Sequence, residues 1–135
     1  MTKEEKVARF LEWEPDTFCV GCNDTRFIKD NQSGGLSHYG HKVPMPEMNE
    51  HNCLEALFKI HKLGYEWYMW AFTDSDGIKK IGMEICEDYE GITKRHINTR
   101  LTALMLETLE EFYDWIMERN NGDFEKRKIN GSHRN

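Results

Sequence analysis

The chain lacks any apolar run approaching the length of a membrane span, and it holds no internal repeat and no low-complexity segment. It contains neither Gly-x-Ser-x-Gly nor Gly-x-x-x-x-Gly-Lys, so neither a nucleophile elbow nor a phosphate-cradling loop is expected. Positive charge is short as well. A formal net charge of −6 works against a general nucleic-acid binder, which neutralises phosphates with clustered Lys and Arg. The opening MTKEEKVARF is charged where a secretory leader needs an apolar stretch, and the expected location is therefore cytoplasmic. Cysteine is sparse, with four residues. In that compartment they are expected to be free thiols or metal ligands rather than disulfides.

What is present points to a folded domain. A hydrophobic share of 39% and an aromatic share of 12% oppose disorder despite 31% charged residues. A chain of 135 residues suits one domain and can bury about two-thirds of its unfolded surface. The expected domain covers 1–120. Beyond it, residues 121–135 read as a flexible basic tail, because from Arg119 onward the five basic residues Arg119, Lys126, Arg127, Lys128 and Arg134 outnumber Asp123 and Glu125.

Two aromatic and β-branched runs, 65–73 (YEWYMWAFT) and 78–86 (IKKIGMEIC), flank the turn signal Asp74-Ser75-Asp76-Gly77. This predicts a hairpin. A two-residue loop at Asp76-Gly77 or a four-residue loop over 74–77 places Phe72 opposite Ile81, Trp70 opposite Met83 and Tyr68 opposite Ile85. That apolar face is expected to be core. The other face would carry Thr73 with Lys80, Ala71 with Gly82, Met69 with Glu84 and Trp67 with Cys86, and is expected to be partly covered.

Around the ribbon, Thr2 to Glu5 reads as a capping box opening a short helix with Val7, Phe10 and Leu11 on one face, ending by Glu14 ahead of Pro15. Residues 17–20 and 25–29 read as a weaker hairpin. Residues 30–46, rich in Gly, Ser, Asn and His, read as a long loop. A second helix is predicted from Pro46 or Asn49 to Leu63, with Leu54, Leu57, Phe58 and His61 at helical spacing and Gly64 ending it. After an acidic loop over 87–91, a last helix is predicted from about Lys94 to Asn120. Its stripe is Ile97, Leu101, Leu104, Met105, Leu109, Phe112 and Ile116. The order α-ββ-α-ββ-α predicts an α+β fold, an antiparallel sheet built from two β-hairpins with helices packed against it.

A short helix carrying VARFLEW, a helix NCLEALFKI ending at LGY, a hairpin and a last helix TALMLETLEEFYDWI resemble in layout small proteins of tailed phages and prophages described as phage α/β/α-sandwich domain proteins. The likeness covers 46–118 best and 7–13 less closely. It implies an accessory phage or prophage product acting in the bacterial cytoplasm. It brings no catalytic residue with it.

Several constellations bear chemistry. Cys19-x-x-Cys22 followed by His38-x-x-His41 supplies four zinc ligands, the two-residue gap between the cysteines being what a thiolate knuckle needs. The plainer alternative puts Cys19 into the core with Phe18 outside, or the reverse, with Cys22 in a turn and both histidines solvated; Cys53 or His51 could also stand in for a histidine. A redox Cys-x-x-Cys would need a helix start after Cys22, where Asn-Asp-Thr and a strand follow instead. The 74–77 segment is a turn rather than a calcium loop, since a Gly at loop position six would put Phe72 where a carboxylate belongs. Glu84, Glu87, Asp88 and Glu90 read as an acidic loop, and His61 and His96 as helix-end residues.

The mixed face of the ribbon is the remaining candidate. Trp67 and Met69 beside small Ala71 and Gly82, edged by Lys80 and Glu84, would form an apolar dent for a partner side chain or ligand. Alternatively the first helix fills it through Phe10 and Leu11. The expected function is a non-enzymatic accessory protein binding another macromolecule, a protein rather than nucleic acid, with a homodimer open. The rivals are a zinc-stabilised module using residues 19–41, and a small-ligand binder or enzyme at the aromatic face around Trp67.

Overall fold

The computed structural model describes residues 2–19, 24–28, 35–38, 41–44 and 48–120, with side chains for 2–13 and 48–120. The protein is α+β, with three helices and a four-stranded antiparallel sheet among the described residues.

Helix α1 spans Lys3–Phe10 and starts where Thr2 Oγ1 accepts the Glu5 amide at 3.1 Å. It stops before the influence of Pro15 is needed. Glu12 takes a left-handed φ of 61°, and the amides of Glu12 and Trp13 close back on Arg9 and Ala8. Helix α2 spans Glu50–Lys62, with Asn49 capping the Asn52 amide and Gly64 at φ 99° just past its end. Its buried stripe differs from the expected one. Cys53, Ala56, Leu57 and Ile60 face the core, Leu54 is half-buried, and Phe58 and His61 are exposed. The small Cys53 and Ala56 belong to the core-facing side, and a search for large apolar residues passes over them.

The four-stranded sheet contains β5 (Glu66–Thr73), β6 (Lys79–Glu87), β7 (Glu90–Gly91) and β8 (His96–Asn98). Strand β6 is central. β5 pairs along one side of it, while β7 and β8 share the other. The expected acidic loop is a tight connection in which Asp88 and Tyr89 both take positive φ, 48° and 69°, as a primed hairpin turn requires.

The ribbon's facing is the main correction. Thr73 pairs with Lys79, Met69 with Met83 and Trp67 with Ile85, one residue out of the expected register. The cause lies in the turn. The Asp74 amide bonds the Ile78 carbonyl, Asp74 Oδ1 accepts the amides of Asp76 and Ile78 at 2.9 Å, and Gly77 sits at φ 79°. The loop inside that closing bond has odd length, and an odd loop moves one strand's whole side-chain set to the opposite face. Trp67, Met69 and Ala71 therefore share the helix-covered face with Ile85, Met83 and Ile81. Tyr68, Trp70 and Phe72 share the outer face with Glu84, Gly82 and Lys80.

Helix α3 spans Leu101–Arg119 rather than starting near Lys94, because His96–Asn98 pair with β6. Ile97 thus leaves the expected helical stripe and lies half-exposed on β8. Leu104, Met105, Leu109, Phe112 and Ile116 are buried, joined by Thr108 and Tyr113. The core gathers these with Val7 and Phe10 of α1, the α2 stripe, and Met83 and Ile85 of β6. Phe112 meets Phe10 and Tyr65 edge-on, with centroids at 5.9 and 5.2 Å, contacts worth about 0.5–1.5 kcal/mol each beyond burial.

Two further hairpins stand as separate two-stranded sheets. Strands β1 (Glu14–Cys19) and β2 (Asp24–Ile28) fall close to the expected first hairpin. Strands β3 (Gly35–His38) and β4 (His41–Pro44) lie in the segment read as a loop, where Gly, His and Pro mask a short alternating ladder. The sheet under the helices is thus β5 to β8. Among the described residues no helix is long and apolar enough to cross a membrane. Residues 121–135, read as a basic tail, lie outside the described residues.

Candidate functional site

The short link from Leu63 through Gly64 to Tyr65 folds the start of β5 back beside the last turns of α2. Between them lies an open cleft of about 480 Å³ lined by Phe58, His61, Glu66, Trp67 and Tyr68. Phe58 and His61 are three apart on α2 and share a flank, left outward because the buried stripe runs through Cys53, Ala56 and Ile60. Trp67 points to the helix-covered side of β5, and Glu66 and Tyr68 to the outer side. The cleft therefore reaches around the strand's free side, and among the described residues β5 pairs with β6 alone.

Large apolar groups are exposed here, with Phe58 at 56%, Tyr68 at 45% and neighbouring Met69 at 38%. Tyr68 Oη donates to Glu66 Oε2 at 2.6 Å. That bond, chiefly, pushes the Tyr68 phenol up to about 12, so the hydroxyl keeps its proton as the donor. Glu66 has no ion-pair partner among the described residues. Among the described residues the lining offers aromatic walls, one carboxylate and one imidazole, and no thiol or aliphatic hydroxyl beside the imidazole.

The six residues expected to form a dent are divided by the register. Trp67, Met69 and Ala71 lie on one face; Lys80, Gly82 and Glu84 lie on the other. Lys80 pairs with Asp74 at 2.8 Å, Glu84 with Arg95 at 3.4 Å, and the Trp70 ring occupies the space over Gly82. Of the six, Trp67 alone lines the cleft. Phe58, His61, Glu66 and Tyr68 were not singled out from sequence as binding residues. The usable signal was the three-residue spacing of Phe58 and His61 just before a Gly-ended helix and an aromatic strand.

The zinc constellation falls outside the described side chains. The backbone places Cys19 at the end of β1 opposite Asp24, and His38 opposite His41 across β3 and β4; Cys22 lies outside the described residues altogether. Of the two substitute ligands, Cys53 is fully buried, and desolvation pushes its thiol up to about 12, away from the thiolate a metal needs. His51 is exposed and pairs with Glu55 at 3.0 Å. Among the described residues no group of three His, Cys, Asp or Glu is arranged to hold a metal ion.

His96 is a strand residue rather than a helix-end one. Its Nε2 meets Glu111 Oε2, and its Nδ1 lies 3.8 Å from Glu107. The imidazole thereby ties β8 to α3.

No protein-family model, curated protein or solved structure matches this chain.

Proposed function

We propose that this chain is a non-enzymatic binding protein, an accessory product of phage or prophage origin, that takes up an extended segment of a protein partner alongside β5. The observation that carries the reading is the side of β5 that, among the described residues, has no strand paired to it. An edge strand presents a row of backbone donors and acceptors on which another strand can build. Edge strands are commonly blunted by Lys, Pro or a bulge, whereas β5 (EWYMWAFT) has no Lys or Pro and runs in unbroken register with β6. Exposed Phe58, Tyr68 and Met69 beside it supply side-chain contacts that backbone pairing alone does not provide. The phage origin rests on the layout of helices and hairpin; the binding role does not depend on it.

Selection from a displayed random-peptide library tests the reading, using the wild type and a Phe58→Asp variant whose folding is checked by circular dichroism. The wild type is expected to enrich a family of peptides with a period-two side-chain pattern, which slow amide exchange in β5 and lose binding to the variant. Enriched peptides that leave β5 exchange unchanged, or no convergent family, would overturn it.

A further inference from the structure

We infer that the cleft between α2 and β5 receives a cationic side chain, arginine or lysine, from the segment that adds to β5, an assignment that rests on the strand-addition reading above. Aromatic walls alone would accept any apolar side chain. Glu66 decides between them. Glu66 lines the same cleft as Phe58, Trp67 and Tyr68, and one of its carboxylate oxygens is occupied by the Tyr68 hydroxyl. The remaining oxygen and the charge itself have no cation among the described residues.

Closing the cleft with an apolar side chain would strip water from that carboxylate without replacing its partner, and a carboxylate would place like charges together. An ammonium or guanidinium group does neither. It pairs with Glu66 while its stem and its charge lie against the ring faces, which attract cations through their quadrupoles. A segment lying along β5 can supply such an entrant, because Glu66, Trp67 and Tyr68 of that strand line the cleft. Farther along, the same segment would meet exposed Met69, where an apolar residue fits. The recognised pattern is thus one cation at the end of the segment nearest Glu66, followed by apolar residues in alternation.

The probes are an acetylated, amidated peptide TVRVTVT, its twin with citrulline in place of arginine, and N-acetyl-arginine amide, each titrated into the full chain and followed by backbone amide and indole NMR signals. Citrulline keeps the shape of arginine and removes its charge. The arginine peptide is expected to shift the signals of Phe58, Trp67 and Tyr68 and to bind about tenfold more tightly than its twin, the preference one contact of this kind supplies. Glu66→Gln is expected to abolish the preference. Glu90→Gln, on β7 across the sheet, is expected to leave it intact.

Equal binding of the twins with shifts along β5 would overturn the cationic assignment and leave strand addition standing. Absence of any shift on β5 with either peptide would overturn both. An equal loss of preference in both Glu variants would reduce the effect to overall charge. Binding of N-acetyl-arginine amide as tight as the peptide would make the cleft a small-cation site and overturn the docking of a segment.

Discussion

The Trp70 ring occupies the place where Gly82 would carry a side chain: a Cβ at Gly82 would stand 2.2 Å from Trp70 Cε2 and 2.6 Å from its Nε1. The two residues are register partners on the outer face, so the ring reaches across the strand pair and covers the gap. Gly82→Ala must displace the half-buried Trp70 ring. The variant is expected to lose about 1–3 kcal/mol, the usual cost of overpacking. A lower urea midpoint together with a shifted Trp70 indole resonance checks this; an unmoved resonance would contradict the packing.

Asp74 governs the turn through both of its oxygens. Hydrogen bonding with Lys80 first, then the Ile78 and Asp76 amides, holds its carboxyl below the ordinary value of 3.8. A depressed folded pKa contributes stability that is fully present above the unfolded value and is lost as pH falls through the folded one. Asp74→Ala is therefore expected to lower the denaturation midpoint at pH 6, with the gap from wild type closing below about pH 4. Urea titrations between pH 6 and 2 measure the gap. A gap that stays constant across that range would remove Asp74 as its source.

His96 and Glu111 join β8 to α3, and Glu111 also accepts the Lys94 amide at 3.0 Å. Both side chains are less than one-third exposed. Removing either partner leaves the other short of a charge-assisted bond, at an expected cost of about 1–3 kcal/mol. His96→Ala and Glu111→Ala are expected to couple, the double variant losing less than the two single losses combined. Strict additivity in a double-mutant cycle would show that the pair is not an energetic contact.

The helix ends were legible because their signals are local. Thr2, Asn49 and Gly64 each act within a few residues of themselves. Register was not, since it turns on the parity of one loop, and that parity is set by how the Asp74 carboxylate and Gly77 fold together in space. The mistaken facing then carried Lys80, Gly82 and Glu84 into a site with Trp67 that no folded chain of this register can assemble. Strand β8 was hidden for a related reason. Ile97 fits helical spacing with Leu101 and Leu104, and only the unfilled side of β6 draws it into the sheet. The cleft required both the true α2 stripe and the free side of β5, and each is a property of packing between elements distant in sequence.

Cys53 sits at the contact of α2 with the core, fully buried, its thiol pushed up to about 12 by desolvation and then by the charges of Glu50 and Glu4. A raised folded pKa contributes stability below the ordinary value of 9.0 and loses it as pH rises toward the folded value. Wild type is thus expected to weaken between about pH 9 and 12 more steeply than Cys53→Ala, which has no thiol to ionise. The variant should also cost about 1 kcal/mol or more at neutral pH through the small cavity it leaves. The same burial protects the sulfur. At pH 8, iodoacetamide should alkylate Cys53 and the buried Cys86 far more slowly in folded than in urea-unfolded protein, as read by peptide mass spectrometry. Equal rates would mean that the α2 face opens faster than a packed core permits. In that event the stripe of Cys53, Ala56, Leu57 and Ile60 would no longer hold Phe58 and His61 outward at the cleft.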